Sequence, residues 1–328
     1  MDHSLDLSRW RELPRGVGYR RWTIVSAGLR QLLRTRFFRI LLAVAWMGGM
    51  AIAVLGFAFS QTLAPDGWVQ NLAAFGPRAK ALASALNAFV LLFPDLLVDG
   101  VFTLLFWLHS FLGLWLSLVA LTVLVPQLIT RDRASNALTV YLSRPLTTSD
   151  YLLGKLGIIV GVLALVWTGP LVGGWLLSMV FASDRDFIVY SFTPLLRALL
   201  FNGIALVALA AIALGISALG RASRVTTMIW LFLWLMVGFG ALPPRAPNWM
   251  KRASFTHDLS QVRQEVFRVD TVFANAAAKL PLLDAQQTKK LSSAATKTAA
   301  KDFQGALVAL GVFCALSSFV FFRKLKPE

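Results

Sequence analysis

The sequence predicts an all-α integral membrane protein with six membrane-crossing helices and an N-terminal amphipathic helix lying in the membrane interface. Three observations carry this reading. Mean hydropathy is +0.67, and only 15% of residues are charged, against about 25% in a soluble domain. Six uncharged stretches, bounded by Arg39 and Asp66, Asp99 and Arg131, Lys155 and Asp184, Arg197 and Arg221, Arg224 and Arg245, and Asp302 and Arg323, each reach the roughly 20 residues that a helix needs to cross hydrocarbon. They are continuous runs, not the alternating ten-residue segments of a β-barrel. Finally, the basic residues of the short loops gather on one side of these runs. Nine arginines lie within residues 1–39, and Arg131, Arg133, Arg144, Lys155, Arg221, Arg224, Arg323, Lys324 and Lys326 fall on the same side. The excess of positive loops inside places both termini in the cytoplasm; the membrane itself is expected to be a bacterial-type cytoplasmic (inner) one.

Residues 1–37 form a cytoplasmic N-terminus. Within it, residues 20–37 place Trp22, Val25, Leu29, Leu32 and Leu33 on one helical face and arginines on the other. Arg20, Arg21, Trp22, Arg30, Arg34 and Arg36 mark this as an interfacial helix, its apolar face towards lipid. The six-span domain covers 38–322, with spans at about 38–60, 101–129, 156–182, 195–219, 225–242 and 303–322. Gly48-Gly49 in the first span permits close helix contact, and Pro170 among glycines predicts a kink in the third. Gly220–Arg224 is short enough to make spans four and five a tight hairpin.

Residues 61–100 and 243–302 are the extracytoplasmic segments, 130–155 a cytoplasmic insert, and 323–328 a cytoplasmic tail. In the long second segment Phe255, Leu259, Val262, Val266, Val269 and Phe273 recur at steps of four and three. This is one stripe of an amphipathic helix, and it needs a partner: the bundle or a second copy of the chain. That segment also carries ten basic residues, but at about 60 residues it is near the length where charge stops deciding orientation.

Enzyme signatures are absent. The three histidines are His3, His109 and His257, and the single cysteine is Cys314. There is no H-E-x-x-H pair for zinc, and Gly154-Lys155 lacks the upstream glycine of a phosphate loop, so this chain has no ATP-binding motif, no cofactor and no metal ligand set. The six runs contain no Asp or Glu, which argues against a proton- or sodium-driven carrier. The net charge of +16 sits at span ends, where anionic lipid heads attract it; without an aromatic-interleaved basic platform it does not indicate nucleic acid. His109 is either a hydrogen-bonded packing residue or part of a pathway.

The most patterned polar stretch is the insert. It reads Arg-Asp-Arg-x-x-Asn-Ala-Leu-x-x-Tyr-Leu-Ser-Arg-Pro-Leu-x-x-x-Asp-Tyr-Leu-Leu-Gly-Lys over residues 131–155. Charges open it, Arg144-Pro145 turns it, and Thr148, Ser149 and Asp150 offer caps for the next helix. It reads either as a loop on the headgroups or as a helix that docks on a cytoplasmic motor. This motif resembles the cytoplasmic segment of ABC type-2 (ABC-2) transporter permeases, the membrane subunits of ABC exporters, and the layout of the whole chain is similar to theirs.

The resemblance implies a membrane subunit paired with a second permease copy or a sister permease. It implies a separate ABC ATPase subunit that binds ATP and Mg. Arg131, Asp132, Arg133, Asn136, Leu138, Tyr141, Arg144 and Pro145 would couple the two. Family members often carry Glu where Asp132 stands. Spans two and five flank the path in the family, which would place Trp107, Phe111, Trp115, Trp230 and Trp234 near it, beside His109. Such an aromatic path suits lipid-like or amphipathic cargo, although aromatics of this kind also serve packing and lipid contact. The large outer segments are similar to those of members with accessory or dimer contacts outside. The alternative is a membrane scaffold or assembly subunit that transports nothing.

Overall fold

The computed structural model describes residues 16–63, 76, 77, 84, 92–130, 132, 148–180, 182, 186–220, 222–235, 247–278 and 303–325. Among them every regular element is helical. Helix α1 is Val17–Leu33 and α2 is Arg36–Leu63. Helix α3, Pro94–Val125, continues through a π turn at Pro126–Thr130; α4, Thr148–Leu163, continues through a π turn at Ala164–Thr168 into α5, Gly169–Val180. Then come α6 (Asp186–Leu219), α7 (Ser223–Leu231), α8 (Asn248–Arg252), α9 (Phe255–Phe267), α10 (Val269–Ala278) and α11 (Phe303–Leu325).

Five helices are long and apolar enough to cross a membrane: Arg36–Gln61, Pro94–Thr130, Ser149–Val180, Asp186–Leu219 and Phe303–Arg323. The expected fifth span begins as a shorter apolar helix, Ser223–Leu235, and the rest of 225–242 lies outside the described residues. The expected segment 61–100 lies mostly outside them too. The structure starts the fourth span well before 195. Arg197 reads as a boundary in the sequence, but its Nη1 pairs with Asp99 Oδ1 of α3 at 3.3 Å. The charge is thereby neutralised inside the helix, and Pro194 is also absorbed there.

The π turn at Pro126–Thr130 begins on a proline, and the one at Ala164–Thr168 lies just before Pro170. Pro170 has no N–H to give and its ring crowds the carbonyl four residues back; the wider turn at Ala164–Thr168 absorbs that mismatch one residue pair earlier. At the other π turn, Ile129 N–H donates to Ser217 Oγ (2.9 Å) and Thr130 Oγ1 donates to the Ser217 carbonyl (2.8 Å). Thr130 also meets Thr226 of α7 at 3.1 Å. The ends of α3, α6 and α7 are thus knitted where the chain makes its tight hairpin.

Close approach is set by glycine, as lipid supplies little drive for helix association and packing must supply it. Gly49 of α2 lies against the Pro170 carbonyl, Gly174 lies against the Gly49 carbonyl, and Gly56 meets Ser178. Helices α2 and α5 therefore run side by side in the same direction, and Gly48-Gly49 does what its composition suggests. Residues 199–207 of α6 line a groove with residues 307–314 of α11, and Gly215 meets Ser317. These two helices also share a direction, so the chain travels back along the bundle between Leu219 and Phe303, and α7 begins that return.

The amphipathic stripe finds its partner in this bundle. Phe255, Leu259, Val262 and Phe267 are fully buried, and α9 packs on α3, α6 and α11. It lies against the middle of the bundle: Phe255 faces the Trp230 ring at 6.4 Å and Phe267 faces Phe201 at 6.0 Å. Helix α10 continues to Gly100, near the start of α3. The stripe is not one helix. Arg268 adopts the left-handed conformation (φ 44°), its N–H returns to the Gln264 carbonyl (2.9 Å), and its Nε donates to Glu265 Oε1 (2.9 Å). With α9 sealed against the bundle, Val262→Asp buries a carboxylate that has no partner. The expected outcome is a loss of several kcal/mol, of order 3 or more, seen as collapse of the monodisperse peak in detergent. A Val262→Asp protein of unchanged yield and melting temperature would show that the stripe does not hold the bundle.

Candidate functional site

The insert begins as α3 ends and finishes inside the first turns of α4, so its ends are placed by two packed helices. Lys155 Nζ lies 2.6 Å from Asp132 Oδ2, and Tyr151 Oη donates to the same oxygen at 2.7 Å. Lys155 also sits 5.3 Å from the centre of the Tyr151 ring. These are the second and last residues with charge in the motif together with its closing tyrosine. The motif thus shuts on itself. One residue before Tyr151, Asp150 takes Arg21 of α1, with Nε and Nη2 at 2.8 and 2.6 Å from Oδ1. Both nitrogens meet a single carboxylate oxygen, a charge-assisted contact that fixes α1 against the start of α4.

Helix α1 follows α4 because α4 offers it a row without side chains. Gly154 faces Ile24, Gly157 faces Val25 and Gly161 faces Leu29, while Gly28 of α1 receives Ile158. The apolar face expected to meet lipid therefore packs largely on protein. Leu32 is buried, whereas Trp22 remains 63% exposed and is available to the interface. Arg30, Arg34 and Arg36 are exposed on the other side; the side chain of Arg20 lies outside the described residues. Between α1, α3 and α4 a cavity of about 420 Å³ opens, with Gln31, Gln127, Asp132, Tyr151 and Lys155 among its lining. Of the expected coupling residues only Asp132 is described. Arg131, Arg133, Asn136, Leu138, Tyr141, Arg144 and Pro145 lie outside the described residues.

A second constellation lies near the middle of the bundle. Trp107, Phe111 and Trp115 repeat every four residues on α3, which stacks them on one face. The Trp107 and Phe111 rings meet edge to face at 4.9 Å, and Trp115 meets Trp234 edge to face at 5.7 Å. Phe111 and Trp115 are each more than a third exposed. The structure does not bring all six expected path residues together. Trp230 is fully buried, and its indole N–H points to the Leu118 carbonyl (3.3 Å) and Thr122 Oγ1 (3.1 Å), so it serves the contact of α7 with α3. His109 is buried too; its Nε2 lies 3.4 Å from the Trp167 carbonyl, and Gly48 packs over its ring. That geometry favours the packing reading of His109 over the pathway one.

The sequence reading misses the charged partner of this ladder. Arg263 of α9 is buried, and its guanidinium carbon stands 3.2 Å from the centre of the Phe111 ring and 5.6 Å from that of Trp107. The signal for it is visible only as one arginine interrupting the apolar stripe. Nearby Asp258, wholly buried, takes Arg252 at 2.9 Å, which closes the turn between α8 and α9 beside the Ser254 cap on the His257 N–H (3.3 Å).

No protein-family model matches this chain, and no curated protein matches it.

Proposed function

We propose that this chain is the membrane-spanning permease subunit of an ATP-driven exporter of the ABC type-2 kind, with six passes and both termini in the cytoplasm. The observation that carries the reading is the doubly tied insert. Asp132 is held by Lys155 and Tyr151, and Asp150 by Arg21. A slack headgroup loop needs no such ties. An element that receives force does, because a push on residues 133–147 then reaches the ends of α3 and α4 and the whole of α1 at once. The common direction of α6 and α11, with α7 starting the return between them, supports the sixth pass, and the positive loops support the orientation.

In this reading the motor is a separate ABC ATPase subunit holding ATP and Mg. A second copy of the chain or a sister permease completes the membrane part, and an outer accessory protein has the segment 61–100 and the parts of 243–302 beyond the bundle-packed α9 to meet. Closure of the ATPase moves the insert, the ties carry the motion into α1 and α4, and the glycine contacts between α4 and α1 keep them moving as one body. The aromatic face of α3 lines the route. The test is isolation of the tagged chain from its native membrane in mild detergent, with mass spectrometry and an ATPase assay. A stoichiometric nucleotide-binding subunit with vanadate-sensitive turnover is expected. Co-isolation of an ATPase whose turnover ignores the permease would favour the scaffold, and no ATPase in any detergent would overturn the reading.

A further inference from the structure

We propose that Arg263, set on the ladder Trp107–Phe111–Trp115 with Trp234, binds the anionic head of an amphipathic molecule whose apolar body lies along the exposed aromatic face. As a cargo site it rests on the exporter reading above; as a binding site it stands alone.

Position is the first reason. Phe111 falls at the middle of the 37-residue span Pro94–Thr130, so the guanidinium on its ring sits far from either end of that helix. A cation at such depth is costly, and those that persist face a partner, a cavity or a ligand. No such partner exists among the described residues. The acids of α9 pair with other arginines, Asp258 through Oδ1 with Arg252 and Glu265 through Oε1 with Arg268. The guanidinium of Arg263 has no hydrogen-bond acceptor there, and its Nε is wholly shielded from solvent without one.

The aromatic faces offset part of the cost of a bare cation, and they also hold the guanidinium plane in place. They leave its N–H groups without oxygens. A planar fork of donors in this state matches a phosphate or carboxylate, which it can take through two parallel bonds. The surroundings choose the rest of the ligand. Phe111 and Trp115 are exposed on the same face as Leu108, which is half exposed, and an apolar chain lying there covers them. A free inorganic anion would satisfy Arg263 but gain nothing from the ladder. The shared chemistry is thus an anionic head joined to an apolar tail, as in an anionic phospholipid.

The test uses the full chain, purified in a zwitterionic detergent and offered equimolar palmitoyl-oleoyl phosphatidylglycerol and phosphatidylcholine, with retention read by native mass spectrometry. The wild type should retain the anionic lipid with roughly tenfold preference or more, the scale of one charge-assisted pair. Arg263→Met fills the same space without charge and is expected to fold, since replacing a buried charge with an apolar residue of similar volume is often neutral or stabilising; it should lose the preference. Arg263→Lys should keep a weaker one. Trp115→Ala should lower retention of both lipids and leave their ratio unchanged, which separates head from tail and stands even if a position-263 variant fails to fold. An unchanged ratio in folded Arg263→Met, or a Trp115→Ala protein that retains both lipids fully, would overturn the proposal. Displacement of the lipid by millimolar inorganic phosphate would overturn the amphiphile in favour of a free anion. No ATPase is present in this experiment, so its failure leaves the exporter reading intact, and absence of a motor leaves the lipid result intact.

Discussion

Lys155→Glu is expected to break the insert's closure and to abolish permease-dependent ATP turnover. Lys155 and Asp132 are mostly shielded, with side chains 11% and 16% exposed, and the substitution sets two carboxylates against each other where a 2.6 Å ion pair stood. Removing one partner of a shielded pair costs about 3–5 kcal/mol. Here the cost falls on the end of the insert and not on the core of the bundle, because Tyr151 and the α1–α4 glycine contacts remain. The folded chain should therefore survive, with a lowered melting temperature, while the stimulated ATPase rate falls to that of the motor alone. Asp132→Lys should do the same from the other side, by facing Lys155 with a second ammonium. The exchange Asp132→Lys with Lys155→Glu restores opposite charges and should recover part of the loss. Such a coupling of about 0.5–3 kcal/mol is the mark of residues in direct contact. Independent, additive losses in the three proteins would mean that the pair carries no force.

The second large effect is expected at the crossing of α2 and α5. A side chain at Gly49 meets the backbone of Pro170, and one at Gly174 meets the carbonyl of Gly49. Backbone cannot rotate away as a side chain can. Overpacking usually costs about 1–3 kcal/mol, and Gly49→Ile should sit at or beyond the top of that range, separating the two helices and removing the monodisperse species. Gly203→Ile is the matched control. It lies on α6 with nothing within 4 Å of an added Cβ, and its expected effect is near zero in yield and melting temperature. If the two variants behave alike, the close approach of α2 and α5 does not hold the fold.

Much of this architecture is legible in the sequence because hydrocarbon imposes it. Uncharged runs of the required length announce the long helices, and Gly48-Gly49 announces a tight crossing. What is not legible depends on partners distant in the chain. Arg197 looks like the edge of a span until Asp99 is seen beside it. Gly154, Gly157 and Gly161 form a row that has no evident purpose until α1 lies across it. The break at Arg268 has no sequence signal, since the left-handed conformation is rare outside glycine. The same holds at the candidate sites. The spacing of Trp107, Phe111 and Trp115 already places them on one face of a helix. That Trp230 turns into the core and Arg263 joins the ladder depends on how α7 and α9 meet α3, which no local pattern encodes.

The most direct measurement is photocrosslinking in the native membrane, with a benzophenone amino acid replacing Tyr141 in the insert and, as control, Val54 on the exposed side of α2. The exporter account predicts an adduct from position 141 to a nucleotide-binding ATPase subunit, altered in yield when vanadate traps the motor and weakened in Lys155→Glu, with none from position 54. An insert that crosslinks only to lipid, or to proteins other than an ATPase, would contradict it.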